Sequence, residues 1–543
     1  MFLLLNILWL IRTSKFVLFW IYLWQLKEYH VSRFLDHFKT YKGKKLFFNY
    51  FLLSKIILLL LFVFSPWFFS LWFYALFLIY LAETLLFFWQ IARKNIKKPV
   101  KTLKAVFLLA VCLVIAGFFA SYVLAYLAED LQPAWLLLFD ILLPLIVSFA
   151  VLLFQPVFVV LRNNILKKAA EKIRGLKNLK VICVTGSYGK TSTKEFLTAI
   201  LSKKFKTLCT KEHQNSEIGI ARRILDDLKQ EHQVFIAEVG AYNKGKVKEA
   251  CSMLKPEIGI VTGVNEQHLS LFGSMKNLLS AEGGRELAGL LPENGVLILN
   301  GDNKYCIDLY RKSDNFTKAR KKIYSTDKNK IVSDLRAEDS VASKNAISFV
   351  VVDNPPAGGR NLMHFSANVL GLHNVQNLLA SILTARELGM SFEEISDAFS
   401  DLKPEYAGMI LKNGKHGIIV IDSSYSANLD GVLADLDYLS IYPQKKVIIM
   451  PSLIELGQKS AEIHEKIGRK IGQICDMVII TSKDKFEDIK KGAVGEGMQS
   501  KDVLLCDKPQ DIFSIITLFC KAGDAVLLEG RVPEKLVKFL VVN

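Results

Sequence analysis

Four apolar runs in the first 163 residues, roughly 46–64, 67–91, 105–128 and 134–161, constrain this chain more than any single motif. Each is close to the ~20 residues that a helix needs to cross about 30 Å of hydrocarbon. Lipid offers no partner to a backbone amide, so lone runs of this kind are expected to be helical. A fifth run, 2–25, is interrupted by Arg12 and Lys15, which leaves its span open and the count at four or five. The loops alternate in charge. Residues 27–45 and 92–104 are rich in Lys and Arg, whereas the turns at Ser65-Pro66 and 129–133 carry none. Basic loops stay cytoplasmic, so everything after Arg162 is expected inside the cell. The expected location is therefore the cell membrane, multi-pass, with membrane lipids as partners and the later domains cytoplasmic. No small-residue cleavage site follows the first run and the next loop is basic, so a cleaved signal peptide is not expected.

The net charge of +17 belongs to this segment: residues 1–180 hold 22 Lys and Arg against 7 Asp and Glu, and the rest of the chain 47 against 45. A nearly neutral remainder argues against nucleic acid as a partner. The eight cysteines show no C-x-x-C and no His at ligand spacing, so they read as reduced, buried small hydrophobes. Lys55, Glu83 and Asp140 fall inside the apolar runs, where an ionisable group faces a partner or a cavity. Packing pairs, snorkelling or a transport or lipid-handling role would each account for them. Residues 24–38 mix aromatics with charges and read either as a surface-lying segment or as a helical connector. Residues 164–180 read as a basic, helix-like linker.

After the linker comes VICVTG, a β-branched run suited to a buried parallel strand, then GSYGKTS, then the helical pattern TKEFLTAILSKKF. This order makes a phosphate site. Backbone N–H groups of Gly186, Ser187, Tyr188 and Gly189 can wrap phosphates at a helix N-terminus, Lys190 can reach the outer phosphates, and Thr191 and Ser192 offer hydroxyls, Thr191 to Mg²⁺. The spacing is shorter than the common G-x-x-x-x-G-K-[ST], which would put glycine where Val184 stands.

The short loop resembles that of the Mur ligase family, ATP-dependent enzymes that join a carboxylate to an amine in peptidoglycan assembly, and that of the related folylpolyglutamate synthases. Further segments carry the resemblance in order: NSEIG (215–219), AEVGAYNKGKV (237–247), TGVNEQHLSLFGS (262–274), LPENGVLILNGDN (291–303), GLHNVQNLLAS (371–381), IDSSYSANLDGV (421–432) and IELGQKSAEIHEKIG (454–468). Together they cover about 180–543. The resemblance implies a central P-loop ATPase domain over 181–408, with a β-rich insertion near 320–370, and a C-terminal doubly wound Rossmann-like domain over 409–543. The expected fold is thus transmembrane helices over 1–163 followed by α/β.

By the same resemblance ATP and Mg²⁺ are the cofactors, and Lys190, Glu238 and His268 the catalytic centre. Thr191, Glu238 and His268 are the expected metal ligands. Asn374 and Asn377 are expected near adenine, or as capping groups, and Asp422 near the ribose or phosphates. Asn215, Tyr425 and Asn428 are the expected substrate contacts, and His464 a structural or substrate-orienting group. The implied reaction adds an amino acid or a dipeptide such as D-alanyl-D-alanine to a peptidoglycan precursor, soluble or lipid-linked. Three positions depart from the family pattern. Gly284 stands where a bridging lysine is usual, so either Glu282 supplies the carboxylate or the second metal site is altered. Ala407 to Met409 replace a usual Gly-Arg, and Leu429 a usual proline. The membrane segment also ends about 20 residues before the loop, leaving no room for the small domain that holds the UDP-sugar. Alternative readings are a nucleotide-binding membrane scaffold of low activity and an ATP-driven transporter, the latter on a poor match at LSAEGG (279–284).

Overall fold

The computed structural model describes the chain except residues 39, 48–49, 213, 355–360, 425–426 and 543. It forms two compact units, Met1–Asn163 and Asn164–Asn543.

Among the described residues of the first unit, five helices are long and apolar enough to cross a membrane: Phe2–Leu26, Gly43–Phe64, Phe69–Ala92, Leu103–Tyr126 and Gln132–Leu153. Arg12, which interrupted the first run, is buried and sits between two carboxylates, its Nε 2.6 Å from Glu83 Oε2 and its guanidinium hydrogen bonded to Asp140 Oδ1. Lys55 Nζ lies 2.8 and 2.7 Å from the two Glu83 oxygens and 3.7 Å from Asp140 Oδ2. Trp9 Nε1 and Tyr80 OH donate to Asp140 at 2.9 and 3.0 Å. The charges inside the runs are therefore packed against one another, and none of the four snorkels. The run 134–161 is not one helix. It ends at Leu153, and a new helix, Gln155–Arg174, starts beside Pro156, which has no N–H to continue the ladder. In the segment 24–38 a short helix, Val31–His37, stacks Phe34 on Trp24 at 3.9 Å between centroids.

Residues 164–174, within the stretch read as a linker, belong to that new helix and bury Leu166, Ala169, Ala170 and Ile173, one helical stripe, in the core beside Val181. The strands of the second unit are β1 (Lys180–Thr185), β2 (Thr207–Cys209), β3 (Val234–Glu238), β4 (Ile258–Val261), β5 (Val296–Asn300), β6 (Arg320–Ser325), β7 (Leu335–Ala342), β8 (Ile347–Asp353) and β9 (Asn361–Ala367). They form one sheet of order β2-β3-β1-β4-β5-β6-β7-β8-β9. It is parallel through β7 and antiparallel from β7 to β9. The β-rich stretch near 320–370 thus extends the main sheet. Alternate residues enter opposite layers, Val181 and Cys183 in one and Ile182 and Val184 in the other. Burial on both faces is why these strands read as unbroken apolar runs, each fully buried aliphatic side chain contributing about 1.5–3 kcal/mol.

The last domain has β10 (Ile410–Asn413), β11 (Ile419–Ser423), β12 (Lys446–Met450), β13 (Met477–Ile480), β14 (Val503–Leu505) and β15 (Ala525–Glu529) in the order β10-β11-β15-β12-β13-β14. Only β10 is antiparallel to its neighbour among these pairings. At the ends of β11 and β15, Ser423 donates to Asp435, and Glu529 is 1% exposed with Oε2 unpartnered. Burial, and then Asp435, push the Glu529 carboxyl well above its ordinary range. All eight cysteines are free.

Candidate active site

The loop after β1 turns into the helix Lys190–Leu201 through Gly189, whose φ is +73° and whose missing Cβ would meet Asn377 Oδ1 at 2.5 Å. A side chain there is excluded both by backbone strain and by space. The loop's carbonyls face Lys190, whose Nζ lies 2.6 Å from Gly186 O and 3.4 Å from Ser187 O. Ser187 N donates to Gly263 O at 2.7 Å, Thr262 Oγ1 donates to Tyr188 O, and Asn303 Nδ2 donates to Tyr188 OH at 3.2 Å. The loop is thus pinned by the segments that follow β4 and β5. Thr191 and Ser192 lie in the first helical turn, where unpaired N–H groups favour an anion.

Glu238 ends β3 and meets two predicted partners. Thr191 Oγ1 donates to its Oε2 at 2.9 Å and Asn215 Nδ2 to its Oε1 at 3.2 Å. His268 lies in the loop after β4, its Nδ1 2.8 Å from Glu282 Oε1, while Glu282 Oε2 accepts from Ser187 Oγ at 2.8 Å. Burial would raise the Glu282 carboxyl, but the His268 ring, Lys190 and the Ser187 hydroxyl outweigh it and hold the group below its ordinary range. Gly284 has φ +83°, and its missing Cβ would lie 2.4 Å from Val261 Cγ2. The backbone therefore has no room for a lysine at 284, and the carboxylate that reaches the site is that of Glu282.

Of the two asparagines expected near adenine, Asn374 is fully buried and hydrogen bonded to Leu370 O at 2.8 Å, and Asn377 lies against Gly189 and accepts from Thr193 Oγ1 at 3.3 Å. The Asn377 contact is interhelical, and the N-cap of this helix, His373, makes no side-chain cap bond. Gln376, between them, lines a cleft of about 560 Å³ with Leu372, Val375 and Thr326. Asp422, the penultimate residue of β11, is engaged by Lys412 Nζ at 2.6 Å and by Ser424 N at 3.1 Å, both from its own domain. Asn428 caps the helix Leu429–Leu439 by accepting from Gly431 N at 3.0 Å, and accepts from Asn265 Nδ2 at 3.3 Å. Tyr425 lies outside the described residues. His464 is buried, with Nδ1 2.6 Å from Ser460 O and Nε2 accepting from Leu453 N at 2.9 Å, so both nitrogens are used structurally.

The central domain and the last domain meet at this loop. Asn265 Nδ2 donates to Asp430 at 2.8 Å, Gln267 Nε2 to Ala427 O at 2.9 Å, and Ser270 N and Oγ to Glu455 O at 3.2 and 2.8 Å. Glu455 Oε2 stands 3.9 Å from His268 Nε2.

The model of the Mur ligase middle domain matches residues 184–385, and that of the Mur ligase glutamate ligase domain matches 409–532. The chain belongs to the Mur ligase family. Its relatives include the UDP-N-acetylmuramoyl-tripeptide–D-alanyl-D-alanine ligases of Escherichia coli K12, 27% identical over 64% of this chain and 75% of that protein, and of Bacillus subtilis 168, 26% identical over 67% and 76%. The fold is similar to that of MurF from Acinetobacter baumannii, with a TM-score of 0.61 and 22% identity over 69% of this chain and 79% of that one. It is similar also to MurF ligase from Thermotoga maritima in complex with ADP, with a TM-score of 0.60 and 22% identity over 70% and 83%.

As a Mur ligase the chain is an ATP-dependent carboxylate–amine ligase. Among the described residues no group of three or more His, Cys, Asp or Glu side chains could hold a metal ion by itself. Mg²⁺ is commonly held by one or two side chains together with substrate phosphates, and Thr191 with Glu238 beside the phosphate loop fits that pattern. Sequence reasoning missed the loop-pinning residues Thr262, Gly263 and Asn303, and the approach of Glu455 to His268. Their signal was present only as small polar residues just after apolar strands.

Proposed function

We propose that this Mur ligase joins D-alanyl-D-alanine, or another amino acid or dipeptide, to the carboxylate of a peptidoglycan precursor at the cytoplasmic face of the membrane. The observation that carries the reading is the convergence of Lys190, Thr191 and Glu238 at the mouth of a short phosphate loop. In the reaction a substrate carboxylate oxygen attacks the γ-phosphorus of ATP and ADP leaves. The deprotonated amine then attacks the acyl carbon, a C–N bond forms, and phosphate departs with the former carboxylate oxygen. Such a site works by positioning and by neutralising charge. Lys190 and the N–H groups at the helix start hold the phosphates, and Thr191, Glu238 and His268 are the side chains toward Mg²⁺, which supplies further neutralisation when bound. The base of ATP is assigned to the cleft beside Gln376, with Asn374 and Asn377 shaping the loop from behind. Asn215, Asn428 and Tyr425 are assigned to the substrates.

The apolar helices and the basic segments 27–45 and 92–104 support a multi-pass membrane protein with its ligase domains cytoplasmic. The relatives named above act on a UDP-linked tripeptide; in this chain the helical unit precedes the ligase domains, which supports a lipid-linked acceptor held at the membrane surface. The full chain in nanodiscs, given ATP, D-alanyl-D-alanine and either UDP-muramoyl-tripeptide or its lipid-linked form, should yield the ligated product faster with the lipid-linked acceptor. Equal rates would count against the lipid-linked assignment. ATP binding without product from any amine would favour a scaffold.

A further inference from the structure

We infer that the loop joining Phe69–Ala92 to Leu103–Tyr126 is a docking surface for the phosphodiester headgroups of anionic phospholipids. The inference rests on the membrane reading proposed above and names a lipid class for it. Arg93, Lys94, Lys97, Lys98 and Lys101 are all exposed, and no Asp or Glu stands between the two helices. Among the described residues none of the five is joined to a carboxylate. Lys104 is not part of this set, since its Nζ is taken by Gln155 Oε1 at 2.8 Å and lies 3.8 Å from the centre of the Tyr29 ring.

A basic loop that served only to keep one end of the helices in the cytoplasm would need charge but no fixed course. This loop has one. Residues 95–102 have no regular secondary structure, yet the Gln25 side chain, at the end of the helix Phe2–Leu26, grips them. Its Oε1 accepts from Val100 N at 2.6 Å, and its Nε2 donates to Val100 O at 3.0 Å and to Thr102 Oγ1 at 3.3 Å. Thr102 Oγ1 in turn accepts from Ala105 N at 3.2 Å and so caps the next helix. Lys97, Lys98 and Lys101 flank the gripped residue, which holds three cations where the ends of three apolar helices meet. The Arg93 guanidinium lies 4.3 Å from the centre of the Trp89 ring, and Trp89 is 50% exposed, as suits a side chain at headgroup depth. A phosphodiester supplies the complementary charge there, and each basic side chain near an anionic leaflet strengthens the attraction about fivefold.

The test uses the full chain in a nonionic detergent with a fluorescent phosphatidylglycerol, and a fluorescent phosphatidylcholine as the control, both read by anisotropy. Phosphatidylglycerol should bind about tenfold or more tightly than phosphatidylcholine, and the preference should shrink as salt is added. Lys97→Gln/Lys98→Gln/Lys101→Gln should remove most of that preference and leave phosphatidylcholine binding unchanged. Gln25→Leu keeps every charge but frees the loop, and should weaken phosphatidylglycerol binding severalfold. Equal binding of the two lipids by the unsubstituted chain, or an unchanged preference in the triple variant or in Gln25→Leu, overturns the inference. If the triple variant does not fold, Lys98→Gln alone should weaken phosphatidylglycerol binding about two- to fivefold, and no loss overturns it. Displacement of phosphatidylglycerol by far less of a polyprenyl diphosphate would make a lipid-linked acceptor the occupant and overturn the phospholipid assignment. Failure of the membrane reading looks different: the chain would leave isolated membranes in alkaline carbonate, whatever lipid it prefers.

Discussion

Thr191 Oγ1 donates to Glu238 Oε2 across 2.9 Å, joining the first turn of the helix after the phosphate loop to the end of β3. Under the function proposed above, this hydroxyl and carboxylate would hold Mg²⁺ together with phosphate oxygens. Thr191→Val and Glu238→Gln should each raise the Mg²⁺ concentration for half-maximal ADP release by about 10–100-fold, while the fold, followed by thermal unfolding, changes little. Wild-type Mg²⁺ dependence in both would remove the pair from the metal site.

Gly284 should be intolerant of any side chain. Its positive φ and the 2.4 Å approach to Val261 Cγ2 add strain to overlap, so Gly284→Ala should cost about 1–3 kcal/mol in urea unfolding. Gly284→Lys should be worse, and should not raise ligase activity. A Lys variant with wild-type stability would show that the loop adapts.

Arg12, Lys55, Glu83 and Asp140 cancel to zero charge inside the apolar helices. Removing one partner leaves a buried charge uncompensated, so Glu83→Gln or Lys55→Met alone should destabilise the detergent-solubilised chain by about 3–5 kcal/mol. The double variant Lys55→Met/Glu83→Gln restores neutrality, and its loss should be smaller than the sum of the singles. Additive losses in this double-mutant cycle would mean that the pair is not coupled.

Glu529 sets a pH dependence. Its folded carboxyl titrates well above its ordinary 4.5, because of burial and then of Asp435. Above pH 4.5 the folded state therefore holds a proton that the unfolded state has released, so the contribution of this group to stability is greatest below about pH 4.5 and is lost as pH rises through the folded value. Glu529→Gln should match the unsubstituted chain near pH 4 and grow more stable relative to it between pH 5 and 8, as read from urea midpoints. A constant difference across that range would mean that Glu529 is ionised in the fold.

Much of the site was legible because its chemistry is local. The Gly186-to-Gly189 loop, Lys190 and Thr191 are consecutive, and Glu238 ends β3 and His268 lies in the loop after β4, the two apolar strands that flank β1 in a parallel sheet. The strands of the last domain were legible for the same reason, except β10, whose three half-buried residues and exposed Asn413 form no apolar run to mark them. Asn374 and Asn377 were placed by motif alone; in the fold both are buried, and Gln376 between them lines the cleft.

The sequence by itself determined the apolar helices, the order of strands and helices, and the phosphate loop, since each depends on residues within about one helical turn or one strand of one another. Tertiary structure alone decided the partners. It packed Arg12, 128 residues away in sequence, onto Asp140 and brought Glu282 to Ser187, 95 residues back. It also denied Gly284 the space for a lysine. Buried charge and close packing are satisfied only by groups that the fold brings together, and periodicity along the chain carries no record of which those are.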